Sequence, residues 1–395
     1  MSQAVPLNDI DHRPRYDVGD YDSWLIGVAG ILIALGLVMV ASSSIPIAHK
    51  NGYVDLYYFW RQLAAVFLGL ACGFIVVHVP LAVFDRVSTV FLLIGIALLA
   101  ILLVPGVGHE VNGSMRWIRF GAVSLQPSES MKFAVIVYLS SYLVRHQFHV
   151  QTDFVGFIKP VGVLTIIAGL LLLEPDFGAA AVIFSTAAGM LFLGRVPFIR
   201  FCSWGLVAVS ILASVAMLAP YRMQRLMTFM DPWSDPYDAG FQLTQALIAF
   251  GRGEWLGVGL GNSIQKLFYL PEVHTDFLFA VVAEELGMVG TLVVIALFLF
   301  LIWRIFYIGN MAKRRGQDFA AYLSYGIGLL IGLEAFINIG VNMGLLPTKG
   351  LTLPLMSYGS NSMVVNFVML ATVLRVAKEL QFEQVDFVQG RERYD

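Results

Sequence analysis

The sequence predicts an all-α polytopic membrane protein, and three observations carry that prediction. Hydrophobic residues make up 58% of the 395 residues, and the mean hydropathy is +0.76. Charged residues make up only 13%, whereas soluble proteins average roughly 25%. Apolar runs of about 20 residues recur from one end of the chain to the other, and each is long enough to cross a bilayer as a helix.

About ten such runs follow one another along the chain. They lie near 24–46, 60–80, 87–105, 127–145, 158–173, 177–194, 198–218, 277–303, 321–343 and 355–378. They define an N-terminal tail at 1–22, a single transmembrane domain at 23–378 and a C-terminal tail at 379–395. Because the first run exceeds the 7–15-residue apolar core of a signal peptide, we expect it to be retained.

The positive charges predict the orientation of the spans. If the N-terminus is cytosolic, the inner segments hold about 15 lysines and arginines and the outer segments about 9. Four of the outer nine lie in one long loop, where the positive-inside rule has little weight. We therefore expect both tails in the cytosol and the protein in the cytoplasmic (inner) membrane.

The remaining composition gives little reason to expect nucleic-acid, disulfide or metal chemistry. The net charge of -2 gives no information on nucleic-acid binding, and we expect no nucleic-acid partner. Cys72 and Cys202 both lie in apolar runs, so no disulfide framework follows from them. The seven histidines show no spacing typical of a metal site. We predict no bound metal and no cofactor, with a divalent cation left as an alternative that the sequence does not decide.

A large outer loop at 219–276 lies between the seventh and eighth spans. Loops this long are usually functional. Within it, FQLTQALIAF at 241–250 places Leu243, Leu247 and Phe250 on one helical face, which is typical of an interfacial or re-entrant helix. The alternative is a loop that docks a partner and has no chemistry of its own.

Polar side chains inside the spans indicate function, because a charge there costs about 2.5–3.5 kcal/mol on insertion scales. Glu129 and Lys132 are three residues apart in the fourth span, so they share a helix face. They form either an intramembrane pair or part of a water-filled cavity wall. Glu334, Asn338 and Asn342 recur every four residues in the ninth span, and we expect the two asparagines to form interhelical hydrogen bonds.

Small residues indicate where spans pack closely. Gly69 and Gly73 in the second span, and Gly328 and Gly332 in the ninth, are each separated by one helical turn. Such pairs let two helix backbones approach one another. We interpret them as packing contacts without a chemical role.

Four long stretches carry a resemblance to a known family. They are NGSMRWIRFGAVSLQPSESMK, EPDFG, FGRGEWLGVGLGNSIQKLFYLPEVHTDFLFAVVAEELG and GLLPTKGLTLPLMSYGSNS. In this order, and over most of the chain, they closely resemble the SEDS proteins of bacterial cell-wall synthesis. LPTKGLTLPLMSYG resembles the division branch of that family. The chain departs from the family at Ser360 and Asn361, where Gly and Ser are usual.

The resemblance implies a ten-span, GT-C-like SEDS fold and peptidoglycan glycosyltransferase activity. The implied substrate is lipid II, a disaccharide-peptide on undecaprenyl pyrophosphate. The implied partners are a class B penicillin-binding protein and other membrane proteins of the divisome, at the division septum. The family's essential acidic residue corresponds to Asp276, in the outer loop.

The chemistry expected of the outer loop agrees with this implication. ATP and nucleotide sugars are cytosolic, so a transferase facing outward needs a donor that arrives activated and already across the membrane. A lipid-linked pyrophosphate meets both demands. Transfer with inversion at C1 then needs a base for the acceptor hydroxyl, worth about 10²–10⁴-fold, and cationic help for the leaving pyrophosphate.

Asp276 is the predicted general base. The residues that could hold pyrophosphate are Arg116, Arg119, Lys132 and Lys349, and the sequence does not rank them. Further candidates for substrate binding are Glu129, His274 and Thr275. The alternative for Asp276 is a simple carboxylate at a helix start.

The helix geometry expected around Asp276 has two opposing effects. If Thr275 caps the eighth span, Asp276 lies in its first turn, where the helix dipole weakens it as a base. A low-dielectric cavity would act in the opposite direction. Glu284 lies about 12 Å deeper, and Glu285 points to another side of the helix. We therefore expect Glu284 and Glu285 to have structural or coupling roles.

Two other functions compete with the transferase. A lipid II flippase would also need polar groups inside the membrane, and a non-enzymatic scaffold would need only docking surfaces for division proteins. An outer aspartate beside outer cationic residues favours the enzyme, because a flippase needs no base at the outer mouth.

Overall fold

The computed structural model describes residues 21–392, apart from 112–113, 122, 239, 271, 349 and all of 201–228 except 202, 205 and 210. The helices are α1 (Ser23–Lys50), α2 (Tyr57–His78), α3 (Leu81–Leu102), α4 (Pro127–Arg145), α5 (Gln147–Thr152), α6 (Phe154–Leu173), α7 (Phe177–Leu193), α8 (Phe241–Gly253), α9 (Leu278–Arg314), α10 (Asp318–Asn342) and α11 (Ser360–Glu392). A π-helical turn covers Gln265–Tyr269.

The membrane-spanning character predicted from the sequence is confirmed. By length and composition, six of the described helices can cross a membrane: α1, α2, α3, α6, α9 and α10. Helices α4, α7 and α11 cover three more of the predicted runs. The predicted seventh span at 198–218 lies largely outside the described residues, so the count of ten spans stays a prediction.

A small antiparallel sheet interrupts the expected all-helical architecture. Strands β1 (Gly108–Val111), β2 (Ser114–Phe120) and β3 (Val123–Leu125) pair in that order between α3 and α4. Asn361 at the start of α11 donates a hydrogen bond to the Ser124 carbonyl of β3 at 2.9 Å. The chain's departure from the family pattern at Asn361 therefore ties this helix to the sheet.

Glycines bring helices together where the sequence predicted close packing. Gly69 of α2 lies so close to Phe367 of α11 that an added Cβ would be 2.3 Å from its ring. Gly73 faces the same part of α11. Gly328 and Gly332 of α10 face isoleucine side chains of α9 at 3.2–3.3 Å from an added Cβ. The predicted packing role of both glycine pairs is confirmed.

Helix α8 is the helix predicted within the outer loop, but its apolar face packs on protein. Ala246 and Ala249 are fully buried in a cluster with Phe277, Ala280 of α9 and Val341 of α10. The buried face of α8 thus packs on α9 and α10.

Helix α9 is 37 residues long and breaks near its N-terminal end. Gly287 has φ 68° and ψ -166°, which interrupts the helical hydrogen bonds. The loop that follows α8 replaces them: Val258 N donates to the Glu284 carbonyl at 3.0 Å, and Met288 N donates to the Glu254 carbonyl at 2.9 Å. The outer part of α9 is therefore a short separate helix that the loop holds in place.

The loops predicted to lie outside gather at one end of the helix bundle. Arg116 of β2 contacts Asp176 in the α6–α7 turn, and Tyr358 N before α11 donates to the His274 carbonyl at 2.9 Å. The segments predicted to be cytosolic form a separate set of ion pairs. These pairs are Arg145–Asp85, Arg304–Asp22, Lys313–Asp318 and Arg375–Glu379.

Candidate functional site

Asp276 lies in a turn just before α9. The helix begins at Leu278, and its N-cap residue, Phe277, makes no side-chain capping bond. Thr275 does not cap the helix, because its hydroxyl donates to the Glu272 carbonyl at 3.0 Å and to the Glu272 carboxylate at 2.8 Å. The expectation that Asp276 occupies the first helical turn is therefore wrong, and the helix dipole does not dominate its acidity.

Two asparagines of α10 fix the backbone of Asp276. Its carbonyl accepts hydrogen bonds from Nδ2 of Asn338 and Nδ2 of Asn342, both at 2.9 Å. Asn342 Oδ1 also accepts from Ala280 N at 3.0 Å, which satisfies a free amide at the start of α9. Asn338 Nδ2 donates to the Leu351 carbonyl at 2.6 Å as well. The predicted interhelical hydrogen bond is confirmed for Asn342, which joins α10 to α9, whereas Asn338 joins α10 to the segments at Asp276 and Leu351.

The Asp276 carboxylate accepts no hydrogen bond from the described residues. It faces the backbone of Gly350, where an added Cβ would lie 3.2 Å from Asp276 Oδ2. Burial raises the pKa of Asp276 to about 7, the Glu272 carboxylate adds to the shift, and the positive charge of Arg116 opposes it. Such a carboxyl can accept a proton at neutral pH, because a base works best with a pKa near the working pH.

Of the described cations predicted to hold pyrophosphate, Arg116 is the one whose charge acts on Asp276. Its Nη2 donates to the Pro175 carbonyl, and its Nη1 lies 3.9 Å from Asp176 Oδ1. Asp176 in turn accepts from the Ser128 hydroxyl at 3.1 Å. Arg119 is three residues further along β2, so it projects from the opposite face, where it is exposed. The structure therefore separates Arg119 from the site.

Glu174, which the sequence did not indicate as a candidate, lies beside Asp176 and within the electrostatic reach of Arg116. It is 2% exposed, and neither carboxyl oxygen has a hydrogen-bond partner in the described structure. Burial raises the pKa of Glu174 to about 8, Asp176 adds to the shift, and Arg116 opposes it. The sequence showed only an abrupt turn at 174–178. Two acidic residues at the outer end of an apolar run were the signal available.

His274 packs beside the site and is held by aromatic rings. Its ring centroid lies 4.8 Å from that of Tyr58 and 5.3 Å from that of Tyr358. Burial lowers the pKa of His274, so the ring is neutral at neutral pH. Its Nδ1 has no hydrogen-bond partner within the described part of the chain. His274 thus lines the wall of the site two residues before Asp276.

The predicted Glu129–Lys132 pair exists, and a third residue completes it. Lys132 Nζ lies 2.8 Å from Glu129 Oε1 and 2.5 Å from Glu334 Oε1. Lys132 is 3% exposed, so two carboxylates enclose it. Glu334 precedes Asn338 by four residues on α10. It therefore lies about 6 Å further along the helix axis from Asp276 than Asn338, which bonds the Asp276 carbonyl. This arrangement supports an intramembrane ion cluster instead of a cation open to substrate.

Glu284 and Glu285 face different neighbours, as the helical geometry indicated. Glu284 pairs with Arg252 at 2.9 Å, and Glu285 pairs with Lys266 at 2.9 Å and accepts from Ser42 at 2.8 Å. Both are fully buried. They attach the outer loop to α9, which supports a structural role.

Two further expectations are not tested at this site. Lys349 lies outside the described residues, although its neighbour Gly350 borders Asp276. Among the described residues, no group of three His, Cys, Asp or Glu side chains could hold a metal ion. The absence of a cofactor stays a prediction.

Comparison with known proteins gives the same family over nearly the whole chain. The family model for FtsW, RodA and SpoVE, described as cell cycle protein, matches residues 22–382. A relative from Nitrosococcus halophilus, named probable peptidoglycan glycosyltransferase FtsW, is 55% identical over 364 residues, which cover 92% of this chain and 94% of the relative. The equivalent protein of Hahella chejuensis is 49% identical over 355 residues, covering 90% and 89%.

Solved structures show the same fold. A chain from a peptidoglycan synthase complex that coordinates polymerization and crosslinking matches with a TM-score of 0.75 and 28% identity, covering 91% of this chain and 98% of that chain. The rod shape determining protein RodA of Thermus thermophilus matches with a TM-score of 0.68 and 25% identity, covering 91% and 97%.

Proposed function

The chain belongs to the FtsW, RodA and SpoVE family of cell cycle proteins, and on that premise we propose that it polymerises lipid II into glycan strands. It is a peptidoglycan glycosyltransferase with the membrane fold of that family. We further propose that the reaction occurs on the outer face of the cytoplasmic membrane, during septal wall synthesis.

Asp276 is the observation that supports this reaction most directly. Its backbone is fixed by Asn338 and Asn342, while its carboxylate is left without a described hydrogen-bond donor. In the proposed step, Asp276 takes the proton of the acceptor sugar O4 hydroxyl. The O4–C1 bond forms as the C1–O bond to the pyrophosphate breaks, and the configuration at C1 inverts.

The leaving pyrophosphate needs positive charge, and Arg116 is the candidate that the geometry favours. Its charge acts on the pKa of Asp276, so both groups belong to one electrostatic site. Lys132 is enclosed by two carboxylates, and Arg119 lies on the opposite face of β2 from Arg116, where it is exposed. Lys349 stays a candidate because it adjoins Gly350 in the sequence.

The proposed partner is a class B penicillin-binding protein that cross-links the new strands, together with other divisome membrane proteins. The support is that a solved chain with the same fold comes from a complex that coordinates polymerization and crosslinking. We propose that both tails are cytosolic, in agreement with the charge count, and that the protein acts at the division septum.

A lipid II flippase and a non-enzymatic divisome scaffold are the competing functions. The ion cluster of Glu129, Lys132 and Glu334 would suit transport as well as catalysis. A flippase, however, gives no reason for a carboxyl with a pKa near 7 at the outer mouth. The two functions are separated by measuring both activities. A variant that loses polymerisation while lipid II flipping continues would support the transferase over the flippase.

The test is polymerisation of purified lipid II by the protein with its partner. Asp276→Asn keeps the shape of the side chain and removes its basic oxygen, so we expect polymer formation to fall at least about 10²-fold. Strand length on gels measures the product, and a pull-down of the partner shows that the variant is folded and assembled.

Glu272→Gln is the control, because Glu272 lies four residues away and its carboxylate accepts from Thr275; since its charge also raises the pKa of Asp276, each variant is compared with the wild type at its own optimum pH. We expect it to retain most activity. Near-normal strands from Asp276→Asn would remove the catalytic role and leave Asp276 a structural residue of the turn.

A further inference from the structure

Glu174 is a buried titratable group that the proposed reaction does not use, and among the described residues it differs from the paired buried glutamates in having no partner. It lies at the C-terminal end of α6, one residue before the carbonyl to which Arg116 donates. Its side chain is 2% exposed, and both carboxyl oxygens lack a partner among the described residues. A buried polar group without a partner is uncommon and needs an explanation.

The surroundings of Glu174 favour its neutral form. An ionised carboxylate would be buried without a hydrogen bond and close to the Asp176 carboxylate, which is already paired with Arg116 and Ser128. Burial and Asp176 raise the pKa of Glu174 to about 8, and Arg116 only partly opposes them. At neutral pH the group therefore holds its proton, and it has an O–H to donate.

A protonated carboxyl beside a guanidinium has a defined ligand chemistry. The guanidinium supplies positive charge and N–H donors, and the carboxyl supplies a neutral O–H donor. A phosphate oxygen accepts both, whereas a carboxylate at the same position would repel it. A proton on Glu174 thus changes this part of the site from repulsive to attractive for phosphate.

We propose that Glu174, in its protonated form, donates a hydrogen bond to the pyrophosphate of the lipid-linked substrate beside Arg116. The proposal rests on the proposed function, because it assigns a second contact for the leaving group of that reaction. Glu174 gives up no proton in the step. It binds the pyrophosphate in the ground state and continues to bind it as the C1–O bond breaks.

Two substitutions separate this role from a structural one. Glu174→Gln keeps a neutral hydrogen-bond donor of the same size at every pH. Glu174→Ala removes the donor. Glu254→Gln is the control, since Glu254 is an exposed residue of another outer segment. Polymerisation of lipid II is measured from pH 6 to pH 10 for each variant, with KM and kcat determined separately.

For the wild type, we expect activity to fall as the pH rises through about 8, because ionised Glu174 repels the pyrophosphate. Glu174→Gln should keep activity near pH 7 and lose this alkaline fall. Glu174→Ala should raise KM for lipid II about 10- to 100-fold, the range for a lost hydrogen bond to a charged group, with a smaller change in kcat. Infrared spectroscopy at pH 7 should show a protonated-carboxyl band that Glu174→Gln removes.

Each contrary result overturns the proposal. An alkaline fall unchanged in Glu174→Gln would show that another group titrates. Loss of activity in Glu174→Gln as deep as in Asp276→Asn would indicate proton transfer instead of hydrogen bonding. A wild-type KM in Glu174→Ala would show that Glu174 makes no contact. These outcomes presuppose that the wild type forms polymer; absence of polymer would instead contradict the proposed function.

Discussion

Asp276 is sensitive to the charges around it, because its pKa lies near the working pH. Glu272 raises this pKa and Arg116 lowers it. Activity that needs ionised Asp276 rises as the pH increases through about 7. We predict that Glu272→Gln moves this acid limb to lower pH and that Arg116→Gln moves it to higher pH.

The measurement is the initial rate of lipid II polymerisation against pH for the wild type and both variants. Arg116→Gln should also raise KM, since the proposed pyrophosphate contact is lost. An acid limb that shifts in the same direction in both variants would contradict the assignment, because the two charges act with opposite signs.

At the residue scale, polar side chains inside apolar runs could be found from the sequence, whereas the catalytic role of Asp276 comes from the family resemblance and stays a prediction. Glu129, Lys132 and the asparagines of α10 are polar groups within apolar runs, and their cost in the membrane marks them. Glu174 was missed because its role depends on Arg116 and Asp176, which approach it only through the sheet and the α6–α7 turn. A linear pattern contains no information on that approach.

At the scale of helices, the cluster of Glu129, Lys132 and Glu334 joins α4 to α10. Lys132→Met removes the only positive charge of the cluster and leaves two carboxylates facing each other, so we predict a loss of about 3–5 kcal/mol of stability. Glu129→Gln leaves the Lys132–Glu334 pair intact and should cost much less.

The thermal midpoint in detergent measures both variants, and the double variant Lys132→Met with Glu129→Gln should be more stable than Lys132→Met alone, because one of the two repelling charges is gone. Strictly additive losses would show that Glu129 and Lys132 act independently.

The packing of α1 gives a prediction with an internal control. An added Cβ at Gly36 would lie 2.5 Å from the Met356 Cα, which is backbone and cannot rotate away, whereas an added Cβ at Gly30 meets nothing within 4 Å. We predict that Gly36→Ala costs about 1–3 kcal/mol of stability and that Gly30→Ala is neutral or slightly stabilising. Equal thermal midpoints for the two variants would contradict the close contact at Gly36.

Most helices could be predicted because each apolar run must satisfy its own backbone in the membrane, and a helix does this locally. The sheet at 108–125 could not, since its strands are short and their pairing depends on the chain's return between α3 and α4. Helix α8 was predicted from its amphipathic pattern, but not its neighbours. An apolar stripe indicates that a helix face is buried, but it does not identify the helices or lipids that cover it.

For the molecule as a whole, thiol labelling directly tests the predicted orientation in the membrane. After replacement of Cys72 and Cys202, we predict that a membrane-impermeant thiol reagent added to intact cells labels Ser234→Cys and leaves Arg314→Cys unlabelled. Both positions are exposed in the structure, so access to the reagent depends on the side of the membrane. Labelling of Arg314→Cys in intact cells would overturn cytosolic termini.

The break at Gly287 separates the first nine residues of α9, 278–286, from the rest of the helix. About nine helical residues lie between Gly287 and the start of α9, which is about 13 Å of rod with Asp276 at its tip. A tilt of about five degrees around Gly287 displaces the tip by about 1 Å, and misplacement by that amount can cost about 10²-fold in rate. Arg252 and Lys266 of the 219–276 loop form ion pairs with Glu284 and Glu285 of this short helical segment. Asn338 and Asn342 of α10 hold the tip of the rod, so the position of Asp276, the proposed general base, depends on both the loop and α10.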